Sequence, residues 1–237
     1  TVDGFRDFLN DPFLFGQIAA VHALSDIYAM GGEPKTALAF ATIPIGTEKL
    51  MADDLAQLMS GALKALSEDN VELIGGHSCE GLEMSLGLSI NGYCSEKDLL
   101  KKSGAENNDA IILTKALGTG VIFAAMMQGE SKAATIRSAV NMMLTSNKTA
   151  AQIFKSHETT AMTDVTGFGL CGHLIEMLSS SQLCATLSSA AIPVLPEAQS
   201  LFAKGYKSSL HSQNLKLQGM VDIATEITSA LDITFDP

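Results

Sequence analysis

At 237 residues with a formal net charge of −11, the chain can bury a full core but makes a poor partner for nucleic-acid backbone or an anionic membrane. Its 46% hydrophobic content, with no Trp and three Tyr, describes a compact globular protein of one large or two small domains. No apolar run approaches the roughly 20 residues of a membrane span.

Thr1-Val2-Asp3 reads as the end of a strand, with Asp3 either a turn residue or a ligand-facing carboxylate before Gly4-Phe5. Asp11-Pro12 is an N-cap followed by proline at the first helical position. Leu14, Ile18, Val21, Leu24 and Ile27/Tyr28 then recur at helical spacing as far as Met30, and Gly31-Gly32 stops the helix. Asp26 falls on its last turn. A carboxylate there opposes the macrodipole at a cost of ~0.3–1 kcal/mol. It is either an exposed helix residue, paired with His22 one turn earlier, or a half-buried group that a cation would relieve.

Residues 36–43 form a buried-strand candidate ended by Pro44, followed by an amphipathic helix over about 48–67. Val71–Ile74 predicts a short strand that runs into Gly75-Gly76-His77-Ser78. The two glycines allow either an ordinary bend or a close backbone approach to a ligand, with His77 and Ser78 adding polar groups. Residues 84–93 predict another strand. The polar stretch 95–108 is the best candidate for a domain junction, which divides the chain into 1–96 and 97–237.

Beyond it, 110–114 predicts a strand, Lys115 either a phosphate contact or a solvated residue, and Gly118-Thr-Gly120 a turn. A mainly helical stretch runs to about Lys155. An apolar run then carries Asp164 to the turn Thr166-Gly-Phe-Gly169, where a helical pattern starts at once. That layout sets a carboxylate beside helix N–H groups able to receive an anion. A cap or turn role for Asp164 fits the same pattern. His173 reads as a helix-face or core histidine and Cys171 as core. A strand near 185–188 and a helix after Pro196 complete the chain. The elements mix in both halves, so the class is α+β or α/β in two layers.

Cys79, Cys94, Cys171 and Cys184 form no Cys-x-x-Cys pair and fit no zinc spacing, so reduced thiols in a cytoplasmic protein are the expectation. A P-loop, a nucleophile elbow and a G-x-G-x-x-G fingerprint are all absent. If Asp3, Asp26 and Asp164 converge, their like charges need a counter-ion. Mg²⁺ bridging them to phosphate oxygens is the economical solution, which makes a polyphosphate site the reading from the residues alone.

The same residues carry a family resemblance. The segments Asp11-Pro-Phe-Leu-Phe-Gly-Gln-Ile-Ala-Ala20 and Ala23-Leu-Ser-Asp-Ile-Tyr-Ala-Met-Gly-Gly32 resemble the signature helix of selenophosphate synthetases (selenide, water dikinases). Gly75-Gly-His-Ser78, Leu113-Thr-Lys-Ala-Leu-Gly-Thr-Gly-Val121 and Met162-Thr-Asp-Val-Thr-Gly-Phe-Gly-Leu-Cys-Gly-His-Leu174 match in order. The resemblance implies an α+β, two-domain fold of the aminoimidazole ribonucleotide synthetase type. Its dimerising N-terminal sheet domain is incomplete at its start, and its C-terminal α/β domain incomplete at its end. It implies synthesis of selenophosphate, AMP and phosphate from ATP, selenide and water with Mg²⁺, in a homodimer.

Carried over by position, Asp26 and Asp164 correspond to Mg²⁺ ligands, and Asp3 and Asp26 to nucleotide-contacting aspartates. Gly76, His77 and Ser78 correspond to the segment that reaches ATP from the neighbouring subunit. The family's catalytic Cys/Lys loop has no counterpart between residues 1 and 237, so a fragment without turnover of its own is the expectation. Within the chain, Ala116 replaces a usual Pro and Glu80 a usual Asp, while Ser208–Asn214 replaces a Gly-Gly…Arg-Asn segment. Two other functions fit: a non-catalytic nucleotide-binding or dimerisation module of a fusion protein, and another ATP-using synthetase of this fold.

Overall fold

The computed structural model describes residues 1–222 and 232–237. The chain divides into two compact units, one of Thr1–Leu99 with Met143–Thr159, the other of Leu100–Met142 with Thr160–Pro237. The 143–159 segment, part of the second half in the sequence reading, thus belongs to the first unit.

The first unit is a mixed four-stranded sheet with helices on one face. Its elements are β1 (Val2–Arg6), α1 (Pro12–Ala29), β2 (Glu33–Pro44), α2 (Glu48–Glu68), β3 (Glu72–Gly81) and β4 (Ser85–Tyr93), joined by α5 (Lys148–Ser156). The strand order is β1-β4-β2-β3. β2 and β3 run parallel across the α2 crossover, and β4 returns antiparallel between β2 and β1.

Alternation decides which face is covered. Ala37, Ala39, Ala41 and Ile43 of β2 and Leu86, Leu88 and Ile90 of β4 are buried against Ala19, Ala20, Ala23 and Leu24 of α1 and Leu58 and Leu66 of α2. Each large side chain so buried contributes about 1.5–3 kcal/mol. The alanines on both surfaces let α1 lie close to the sheet. α1 and α2 also touch backbone to backbone, since a Cβ on Gly61 would stand 1.9 Å from the Phe13 carbonyl oxygen.

The start of α1 is as its sequence dictates: the Asp11 carboxylate accepts the Leu14 N–H at 3.0 Å, and Pro12 opens the helix. Two local expectations change. Gly75-Gly76 is no bend, because β3 continues through it to Gly81, with a bulge where Leu73 pairs with Ala37 and Gly75 with Leu38. Asp3 is no turn residue, because β1 carries on to Arg6 and pairs Asp3 with Leu88.

The second unit contains α3 (Thr119–Met127), most of α4 (Ala133–Leu144), α6 (Gly169–Ser181), α7 (Ala198–Ala203) and α8 (His211–Asn214). Val121, Ile122, Leu201, Phe202, Ile233 and Phe235 are among its buried apolar residues. The strands expected at 110–114 and 185–188 do not form among the described residues. Ile111 and Ile112 are exposed, and the one isolated bridge nearby joins Leu117 to Val194. A β-prone run without a neighbour to pair has no ladder to stabilise it. Among the described residues no helix is long and apolar enough to cross a membrane.

Candidate functional site

Asp26 sits on the last turn of α1, half-buried between the inward-facing Ser25 and Tyr28. Its carboxylate accepts the Thr1 hydroxyl rather than pairing with His22. His22 instead packs edge-on against Phe5, with ring centroids 4.6 Å apart. Thr1, Asp3 and Phe5 share the helix side of β1 by alternation. Thr1 reaches Asp26 and Phe5 reaches His22, so Asp3 between them faces the same turn of α1. Asp3 and Asp26 are therefore brought to one place, at the β1 edge of the sheet.

Gly76, His77 and Ser78 are not. They lie exposed on β3, the opposite edge strand, where Gly76 pairs with Ala39 and Ala39 with Leu88. Asp3 pairs with that same Leu88, which leaves three strand spacings, about 14 Å, between Asp3 and Gly76. Gly76 is glycine for lack of room, since a Cβ there would stand 2.1 Å from the Ala39 carbonyl oxygen. His77 points to the face away from the helices, its ring 5.6 Å from that of Phe40.

Asp164 lies in the second unit, on irregular backbone before α6 rather than in a strand. His173, from the second turn of α6, holds the loop that follows. Its Nε2 accepts the Thr166 N–H at 3.1 Å, which assigns the ring proton to Nδ1, and the Thr166 hydroxyl lies at the same distance. Asn214 donates to the carbonyls of Gly167 at 2.8 Å and Phe235 at 3.0 Å. Both are structural supports of the 164–169 turn. His173 was legible as a core histidine, whereas the contact made by Asn214 spans 47 residues and has no local signal.

The divergent Ser208–Asn214 segment wraps a buried carboxylate. Asp236 Oδ2 accepts the Ser208 N–H at 2.9 Å, and burial pushes the Asp236 carboxyl up to about 6. Burial likewise pulls His211 below its ordinary value, and Lys115 below its own. The four cysteines are free thiols. Cys171 is buried 3.0 Å from the Thr234 hydroxyl, and desolvation raises its pKa. Among the described residues no three His, Cys, Asp or Glu side chains cluster as a ready-made metal site. Mg²⁺ does not require one, because it is commonly held by one or two carboxylates together with water and substrate phosphates. The carboxylate oxygens of Asp26 are hard donors of the type that such use takes.

The two-domain architecture places the chain in a class. The chain matches the AIR synthase related protein N-terminal domain over residues 1–94 and the corresponding C-terminal domain over 106–214. The fold agrees with the crystal structure of the hydrogenase maturation protein HypE in complex with ATP, at a TM-score of 0.71 and 19% identity, over 86% of this chain and 62% of that one.

Sequence relatives narrow the class. A selenide, water dikinase of Pelobacter propionicus is 36% identical over 239 residues, covering 100% of this chain and 68% of the relative. One from Shewanella sp. strain ANA-3 is 40% identical over 205 residues, covering 86% of the chain. The chain belongs to the selenide, water dikinase family. It spans 58% of the length of the Shewanella relative.

Proposed function

We propose that this chain forms the nucleotide- and metal-binding part of a homodimeric, cytoplasmic enzyme that makes selenophosphate, AMP and phosphate from ATP, selenide and water. The observation that carries the reading is the convergence of Asp3 and Asp26 on one turn of α1, within the segment that matches the family's signature helix. Asp26 and Asp164 would hold Mg²⁺, and Asp3 and Asp26 would orient the nucleotide. Bound Mg²⁺ would neutralise the charge that builds on the phosphate oxygens. The protein's own part is to hold the carboxylates and to orient the phosphate chain, because phosphoryl transfer depends chiefly on positioning and charge.

The homodimer is supported by the uncovered sheet face. A row across it reads Gly4, Gly87, Phe40, His77, and the next reads Val2, Ser89, Leu38, Gly75. Val2 is 78% exposed, Phe40 52% and Leu38 42%. A flat apolar patch of this kind marks an interaction site. On this reading Gly76, His77 and Ser78 serve the nucleotide of the neighbouring copy. The division into an N-terminal domain of residues 1–96 and a C-terminal domain of 97–237 belongs to the same proposal. Four free thiols suit a reducing compartment.

The test is AMP formation from ATP by the full-length protein, with and without selenide and Mg²⁺. Selenide-dependent AMP release, abolished by EDTA and by Asp26→Asn, is the expected result. ATP turnover that stops at ADP, or that ignores selenide, would overturn it in favour of another synthetase of this fold.

A further inference from the structure

The end of α1 that carries Asp26 is closed by a glycine turn, in which Gly31 takes a φ of +71° and the Gly31 and Gly32 N–H groups bond to the Tyr28 and Ile27 carbonyls. It has an acidic residue and no basic one in its last turn, where the macrodipole favours the reverse. A further tie comes from 122 residues away. Asn147, the residue before α5, donates its Nδ2 to Ser25 Oγ at 2.5 Å. The residues on either side of it reach Asp69, which closes α2. Ser146 Oγ donates to Asp69 Oδ2 at 3.3 Å, and Lys148 Nζ lies 3.1 Å from Oδ1. Tyr28, one turn beyond Ser25, has its buried hydroxyl beside the same carboxylate. Three successive residues thus fasten the ends of both helices.

Ser25 is 5% exposed, so its hydroxyl is a polar group inside the unit, and Asn147 satisfies it. Ser25 also immediately precedes Asp26, about 100° around the helix. A rotation or fraying of the turn that broke the Ser25–Asn147 bond would swing the Asp26 carboxylate away from Thr1 and from the side that Asp3 faces. We infer that Asn147 is a positioning residue: acting through Ser25, it sets the orientation in which the last turn of α1 presents Asp26 to Mg·ATP. This rests on the nucleotide reading above.

The test uses four variants of the full-length protein: Asn147→Ala, Ser25→Ala, the double variant and Asp26→Asn. Mg·ATP affinity would be read by titration calorimetry, and amide exchange at Met30–Gly32, whose N–H groups close the helix on Asp26, Tyr28 and Ile27. Asn147→Ala is expected to weaken Mg·ATP about fivefold, the loss of one net hydrogen bond, and to speed exchange at Met30–Gly32. Ser25→Ala should do the same, and the double variant no more than either, because both remove one contact. Unchanged affinity in Asn147→Ala, or losses that add in the double variant, overturns the inference. If Asp26→Asn also leaves affinity unchanged, the nucleotide reading itself has failed and the inference falls with it. If Asp26→Asn weakens binding and Asn147→Ala does not, the inference alone falls.

Discussion

The two edges of the first sheet differ in what supports them. At the β1 edge, Asp3 and Asp26 are backed by α1, with Thr1 and Phe5 tying strand to helix. At the β3 edge, Gly76, His77 and Ser78 stand exposed on a strand paired on one side only, beside the uncovered face that carries Phe40. One edge is a braced acidic pair, and the other is an exposed strand. About 14 Å of sheet lies between them. What joins them, in the proposed reading, is a second copy that supplies its β3 edge to the first copy's β1 edge.

Mixing variants tests that comparison most severely. Asp26→Asn disables one edge and His77→Ala the other, and each alone should leave little activity. Equal amounts refolded or co-expressed should regain about a quarter of the wild-type rate, since half the dimers would be mixed and each of those would hold one intact site. A mixture no more active than its parents would place both edges in the service of a single copy. Phe40→Asp comes next. Burying an unpaired carboxylate in the shared face should weaken self-association at least about a hundredfold, as read by sedimentation equilibrium. A dimer that survives this change uses another surface.

A smaller effect separates the edges by stability. At Gly76→Ala the new Cβ would meet the Ala39 backbone at 2.1 Å, whereas at Gly4→Ala the nearest atom stands 3.9 Å away. Urea denaturation should show a loss of about 1–3 kcal/mol for the first and at most about 0.5 kcal/mol for the second. Equal losses would mean that β3 is no more tightly constrained than β1.

The β1 edge was the more legible of the two. The Asp11-Pro12 start, the apolar period and the Gly31-Gly32 stop locate α1 and put Asp26 on its last turn, because capping and periodicity are local. Gly75-Gly76 misled for the opposite reason. A glycine pair after a short apolar run is a turn signal, yet here Gly76 is glycine because the neighbouring β2 backbone leaves no room for a side chain, which only the sheet register reveals. The runs at 110–114 and 185–188 have strand composition but no pairing partner among the described residues, and pairing is a non-local property. Ser25 and Asn147 are 122 positions apart, and both are ordinary polar residues on the sequence. No spacing rule connects them.

The smallest expected effect concerns Tyr28, at the braced edge. Burial, then the carboxylates of Asp69 and Glu33, raise its phenol well above the ordinary value of about 10. In the unfolded chain the same phenol ionises near pH 10, so above that pH the unfolded state holds fewer protons than the native one. Its contribution to stability is therefore fully present below pH 10 and lost as the pH rises from there through the folded value. Urea midpoints measured between pH 8 and 11 should fall more steeply for the wild type than for Tyr28→Phe, which has no proton to lose. Equal slopes would mean that Tyr28 ionises in the native state as freely as in water. The end of α1 would then be open to solvent rather than clamped by Asp69 and the residues around Asn147.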